Sequence, residues 1–267
     1  MRDVVRSGVL ASLREHIEKV ENRPLLLRGG ERLGMRPGGR EFVPWRDAPA
    51  GLLHEVWAAT GCDAGAGLGF ALGLARGLIS PGRPVVLWLQ GSHQGAETGI
   101  LYGAGIASFG LDADRVVIGR MKSIGDLLWC AEEALGCTGV AAVIADIAAY
   151  PKALDFTASR RLALRAKSAG VSMLIIRYGP SIPASAAFMR WLVAPAPSGA
   201  RVFDDKASGA PRFAVTLDRS GGGLKGNWLL EWTNDGFGEI DSPESGARKA
   251  ASGALVPVLG DRLSRTA

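Results

Sequence analysis

Between Leu52 and Tyr178 the chain alternates short apolar runs with longer stretches whose apolar positions recur every three or four residues. This is the pattern of strands and helices following one another. Leu52–Trp57, Val85–Gln90, Arg115–Gly119, Val140–Ile147 and Val171–Tyr178 predict strands. Uninterrupted runs such as "VVLWLQ" and "VAAVIADI" suit parallel strands buried on both faces. Gly67–Ile79, Thr98–Phe109, Ser123–Leu135 and Thr157–Ala169 predict the intervening helices. Leu127, Leu128, Ala131 and Leu135 share one face of the third, and Thr157 is a candidate cap for the fourth. Such alternation predicts an α/β fold, a mostly parallel sheet flanked by helices.

Beyond Pro183 the period changes. Phe188–Val193, Arg212–Leu217 and Asn227–Trp232 predict strands, the last two joined through Gly221, Gly222 and Gly223, and so an antiparallel extension near the C-terminus. At the other end Val9, Leu10, Leu13, Ile17 and Val20 follow Ser7 at near-helical spacing and predict an amphipathic helix over 7–21, with a linker from Arg23 to Pro49. From Asn234 the sequence is small, polar and without period. The expected organisation is an N-terminal helical arm and linker over 1–47, a core over 48–233 and a flexible tail over 234–267.

Composition narrows this picture. With 267 residues, 47% hydrophobic and 21% charged, the chain suits one α/β core with attachments and excludes fibrous and globally disordered classes. Cys62, Cys130 and Cys137 are too scattered for a disulfide frame or a zinc site and predict a reducing compartment. Charges at Arg2, Asp3 and Arg6 interrupt any signal-peptide core, and the uncharged stretch Thr98–Leu111 is too short to span a bilayer, so a cytoplasmic protein is expected. The formal net charge is +5, but 160–230 holds 11 basic and 3 acidic side chains, which predicts a basic face for an acidic partner.

The stretch "ATGCDAGAGLGFALGLARGL" (59–78) places glycines between a strand and a helix, where backbone N–H groups and the helix dipole can cradle an anion. Gly61, Gly65 and Gly67 are its candidate nucleotide contacts. A working phosphate loop reads G-x-x-x-x-G-K-[ST]. Starting that frame at Gly61 puts Gly67 and Leu68 at the lysine and hydroxyl positions; starting it one residue later puts Leu68 and Gly69 there. There is no lysine between Lys19 and Lys122, so no nearby frame supplies the cation. Gly67, Gly69 and Gly73 also give a weak dinucleotide-like spacing, but the next strand ends in Gln90 rather than an acid. The alternative is that these glycines let a helix pack tightly on a strand. Asp146, ending an apolar strand, and Glu97 are the candidate acids of a nucleotide site; each also reads as structural, Asp146 as an acceptor for loop amides and Glu97 as a helix-start residue.

Several unlinked segments in order resemble the ImuA family of SOS-associated mutagenesis proteins: "GLLHEVWAA" (51–59), "VVLWLQ" (85–90), "ILYGAGIASFGLDADRVVIGR" (100–120), "DLLWCAEEALGCTGVAAVIADI" (126–147), "FTASRRLALRAKSAGVSMLIIR" (156–177), "SAAFMRWLVAPAPS" (185–198) and "WLLEW" (228–232). The resemblance implies a RecA-like core with a degenerate nucleotide site, needing no cofactor. It also implies a role in error-prone translesion synthesis beside ImuB, a polymerase-like protein, and an error-prone DnaE-type polymerase. A non-catalytic adaptor is the expected function. The alternatives are a RecA-binding modulator of the SOS response and a weak DNA-stimulated ATPase using Gly65, Gly67, Glu97 and Asp146.

Arg160, Arg161, Arg165 and Lys167 on one helix, with Arg190, Arg212, Arg219 and Lys225 beyond it, are the candidate nucleic-acid or partner surface. Trp191, Trp228 and Trp232 either stack on single-stranded DNA or face the core.

Overall fold

The computed structural model describes residues 12, 15, 40–41, 50–91, 99–147, 151–179, 182–201, 204–221 and 225–240. Six parallel strands form one side of its main sheet: β2 (Leu53–Ala58), β3 (Val85–Gly91), β4 (Val116–Met121), β5 (Val140–Ile147), β6 (Ser172–Tyr178) and β7 (Met189–Ala196). Every residue of β5 is buried, as its unbroken apolar sequence requires of a strand covered on both faces. The sheet continues from β7 through antiparallel β10 (Arg212–Ser220), β11 (Gly226–Thr233) and β12 (Gly236–Glu239), ending on β1 (Arg40–Glu41). Across the ten strands the order is β1-β12-β11-β10-β7-β2-β6-β5-β3-β4. A separate hairpin pairs β8 (Ala200–Arg201) with β9 (Asp204–Ser208). The mostly parallel sheet with its antiparallel extension is the architecture the apolar pattern predicted.

Helices cover the sheet on both sides. One face is packed by α3 (Ile124–Ala134) and α4 (Phe156–Ala169), whose Leu128, Ala131, Leu162 and Ala166 meet Leu87, Val143 and Ile175. The other face is packed by α1 (Ala64–Leu78) and α2 (Gly103–Ser108), where Phe70 and Leu74 meet Trp88, Ile144, Leu174 and Trp191. Local chemistry sets the helix ends. Ser123 accepts from Asp126 N at 3.1 Å to start α3, and Asp155 accepts from Ala158 N at 2.7 Å to start α4. Asp155, not the expected Thr157, is therefore the cap. Gly170, at φ 67°, ends α4 in the left-handed region.

Three boundaries differ from expectation. Helix α1 begins at Ala64, because a 3-10 turn over Gly61–Asp63 runs straight into it. Helix α2 is shorter than Thr98–Phe109, and Thr98 lies outside the described residues. The sheet also continues past Trp232, because Phe237 on β12 closes an aromatic cluster with Phe70, Phe213 and Trp232 at centroid distances of 5.1, 5.6 and 4.9 Å. A lone aromatic among small polar residues has no period to reveal it. Of the expected 7–21 helix only Ser12 and Glu15 are described, and both are helical.

Candidate functional site

The turn from β2 into α1 is short and occupied by its own side chains. The Thr60 hydroxyl donates to Asp63 Oδ2 at 2.8 Å, and Thr60 N donates to the same oxygen at 3.2 Å. A carboxylate thus sits at the positive end of α1, where a phosphate would otherwise be drawn, and a second anion brought to the Thr60 amide meets like charge. None of Gly61, Gly65 and Gly67 adopts a positive φ.

The glycines sort by surroundings. A Cβ on Gly61 or Gly65 would meet nothing within 4 Å, and one on Gly67 would make ordinary contact with Ala58 at 3.6 Å. A Cβ on Gly69 would stand 2.6 Å from Phe109 Cζ, and one on Gly73 would collide with Phe237 and lie 2.8 Å from Trp232 Cζ3. Close packing therefore explains the glycines of the helix interior, and what they admit is the aromatic cluster of the extension rather than strand backbone. Gly65→Ala is expected to raise stability by about 0.5–1 kcal/mol, since it adds helix propensity in open space. Gly73→Ala is expected to cost about 1–3 kcal/mol by overpacking. Urea midpoints of the two variants check both signs.

At the carboxyl ends of β3, β5 and β6 lies a buried polar cluster. Asp146 is 1% exposed and stands in register beside Gln90. Its Oδ1 accepts from Tyr178 Oη at 2.9 Å and its Oδ2 from Gln90 Nε2 at 3.1 Å, and the same Gln90 nitrogen reaches Gly99 O at 3.3 Å. Burial pushes the Asp146 carboxyl up and the two bonds pull the other way. Burial, then the Asp146 charge, raises the Tyr178 phenol, so it stays a donor at neutral pH. Both carboxylate oxygens are held by neutral protein donors, an arrangement that fixes the strand ends. Among the described residues no group of three or more His, Cys, Asp or Glu side chains gathers where it could hold a metal ion. Glu97 lies outside the described residues.

A second buried cluster had only a faint signal in sequence, a charge inside each of the apolar runs "LHEVWA" and "SMLIIRY". Glu55 on β2 accepts from Ser185 Oγ at 2.7 Å and Arg190 Nε at 3.1 Å, and its other oxygen lies 3.6 Å from Arg177 Nη1. The Arg177 guanidinium stands 4.9 Å from the ring centre of Trp57, and Arg190 also reaches Pro183 O at 3.2 Å and Asp218 at 3.8 Å. Arg190 is therefore 9% exposed and lies inside the molecule.

The other basic candidates are dispersed. Arg161 pairs with Glu132, and Arg165 lies 3.5 Å from Glu133, so both tie α4 to α3. Arg160 and Lys167 are exposed on α4. Arg212 pairs at 2.7 Å with Glu231, its partner in register across β10 and β11, and Arg219 donates to Ser185 O at 2.8 Å. Lys225 is exposed beside the start of β11. Trp191 is fully buried, Trp232 is 6% exposed with Nε1 donating to Ser108 O at 2.9 Å, and Trp228 packs half-buried beside them.

The chain is a mostly parallel α/β sheet with a glycine-rich strand–turn–helix unit at its centre, and that unit lacks both the lysine and the hydroxyl of a working phosphate loop. Two curated proteins, each named Protein ImuA and from two strains of Caulobacter vibrioides, are 33% identical to it over 212 residues, which cover 75% of this chain and 80% of each of theirs. The chain belongs to the ImuA family. No protein-family model matches it.

Proposed function

We propose that the chain is a non-catalytic adaptor in SOS-induced, error-prone translesion synthesis, assembling with ImuB and, through it, an error-prone DnaE-type polymerase in the cytoplasm. Family membership supports the setting. The observation that carries the non-catalytic half is the Asp63 carboxylate bonded to Thr60 across the glycine turn, in a segment with no lysine. Phosphoryl transfer depends on positioned positive charge at the phosphates. Here the turn presents negative charge, and Asp146 is held by Tyr178 and Gln90. No helix of the described residues is long and apolar enough to cross a membrane.

Titration of the purified chain with ATP and Mg²⁺ should show no saturable heat and no phosphate release, with or without single-stranded DNA, while the chain co-purifies with ImuB. Mg²⁺-dependent turnover that disappears in Asp146→Asn would establish the ATPase instead. Co-purification with RecA in place of ImuB would make the chain a RecA-binding modulator.

A further inference from the structure

Among the described residues β4 is the outermost strand on the side of the sheet away from the extension, paired with β3 alone. Such an edge offers a row of backbone N–H and C=O groups, and chains that stay monomeric blunt it with proline, a bulge or an inward charge. β4, "VVIGRM", has no proline, and its pairing with β3 runs without a register shift. Val117 and Met121 face the core under α3, which turns Val116, Ile118 and Arg120 to the opposite face.

Apolar side chains are exposed on β4 and in the segment leading to α2. Ile118 is 38% exposed on β4, while Ile100 and Tyr102 are 60% and 75% exposed in the segment leading to α2. That segment begins beside the end of β3 and ends beside the turn before β4. Gly99 O accepts from Gln90 at the end of β3, and a Cβ on Gly103 would lie 4.0 Å from Ala113, just before β4 begins.

The exposed charges flanking β4 run from acid to base: Asp112 and Asp114 in the 3-10 turn just before it, Arg120 and Lys122 at its far end. Turned end for end, that order is its own complement. We propose that β4 pairs antiparallel with β4 of a second copy of this chain about a two-fold axis at Val117, joining the two sheets into one. An isologous contact of this kind repeats every interaction twice.

In that register Val116 of each copy lies opposite Ile118 of the other. The acidic turn of one copy, Asp112 and Asp114, meets the basic end of the other, Arg120 and Lys122; all four side chains are exposed. Asp112 accepts from Asp114 N at 3.0 Å and lies 3.6 Å from its own Arg115, which holds the acidic turn in place beside the strand. Surface ion pairs add little affinity, but they set register and reject wrong pairings. The backbone ladder and the burial of Ile118 supply the attraction. This contact uses none of the residues that support the adaptor reading, and the two stand or fall separately.

Sedimentation of the full chain from about 1 to about 200 µM should show a concentration-dependent dimer that weakens with salt. Asp114→Lys and the double variant Arg120→Glu/Lys122→Glu each set like charges against each other and should weaken the dimer about tenfold or more alone. Mixed, the two variants regain attraction at both ends and should dimerise within about threefold of the unaltered chain. Unchanged melting curves confirm that each variant is folded. A chain monomeric throughout this range, charge variants that dimerise as well as the unaltered chain, or a mixture no tighter than its parts would each overturn the assignment.

Discussion

Glu55→Ala should lower the unfolding free energy by about 3–5 kcal/mol, the largest effect of any single substitution considered, because it leaves Arg177 and Arg190 buried without the carboxylate they share. Arg177 is 2% exposed and Arg190 9%, so neither guanidinium can turn to water without opening the sheet between β2, β6 and β7. The Ser185 hydroxyl would lose its acceptor as well. Glu55→Gln keeps an oxygen for Ser185 and should cost less. A double-mutant cycle with Arg190→Met should return part of the loss, since removing the unpaired cation removes part of the penalty. Urea unfolding followed by far-ultraviolet circular dichroism measures all three. If Glu55→Ala unfolds within about 1 kcal/mol of the unaltered chain, the cluster does not hold these strands together.

Acid is the second large perturbation. His54, 1% exposed on β2, has its pKa pulled from 6.5 to about 3 by burial, which disfavours the charged ring. As pH falls through 6.5 the unfolded chain binds a proton that the folded chain refuses, so stability drops until the pH nears 3. The slope approaches about 1.4 kcal/mol per pH unit, or roughly 2 kcal/mol between pH 6.5 and pH 5. Asp146 acts in the opposite sense. Its raised pKa makes the folded chain take up a proton first, so its contribution to stability grows as pH falls from the folded value towards 3.8. His54→Leu should remove the acid loss and leave the Asp146 gain. Urea midpoints at stepped pH decide this, and an acid slope unchanged in His54→Leu would mean that the loss arises elsewhere.

The absence of a lysine from the glycine segment is written in the order of residues and needs no coordinates. That the same segment closes on itself through Thr60 and Asp63 is a matter of a three-residue turn, the Thr-x-x-Asp spacing of a capping pair for a helical turn that starts at Gly61. The basic candidates show the opposite limit. Charge counting groups Arg190 with Arg160, yet Arg190 meets Glu55 from 135 residues away and lies inside the sheet, whereas Arg160 stands in solvent. A linear charge count cannot see a partner that far along the chain.

By itself the sequence determined the elements of the central sheet, the parallel sense of its buried strands, the antiparallel extension and the loss of the phosphate-binding cation. Each of these is carried by short-range periodicity or by residue type, both of which act within a few residues. Only the tertiary structure decided that Phe237 completes the aromatic cluster, that Glu55 gathers two arginines, that Asp146 is capped by Gln90 and Tyr178, and that β4 comes last in the order of the described strands. Those are pairings between distant segments. Their energy exists only once chain folding has brought the partners within contact distance and excluded water from between them.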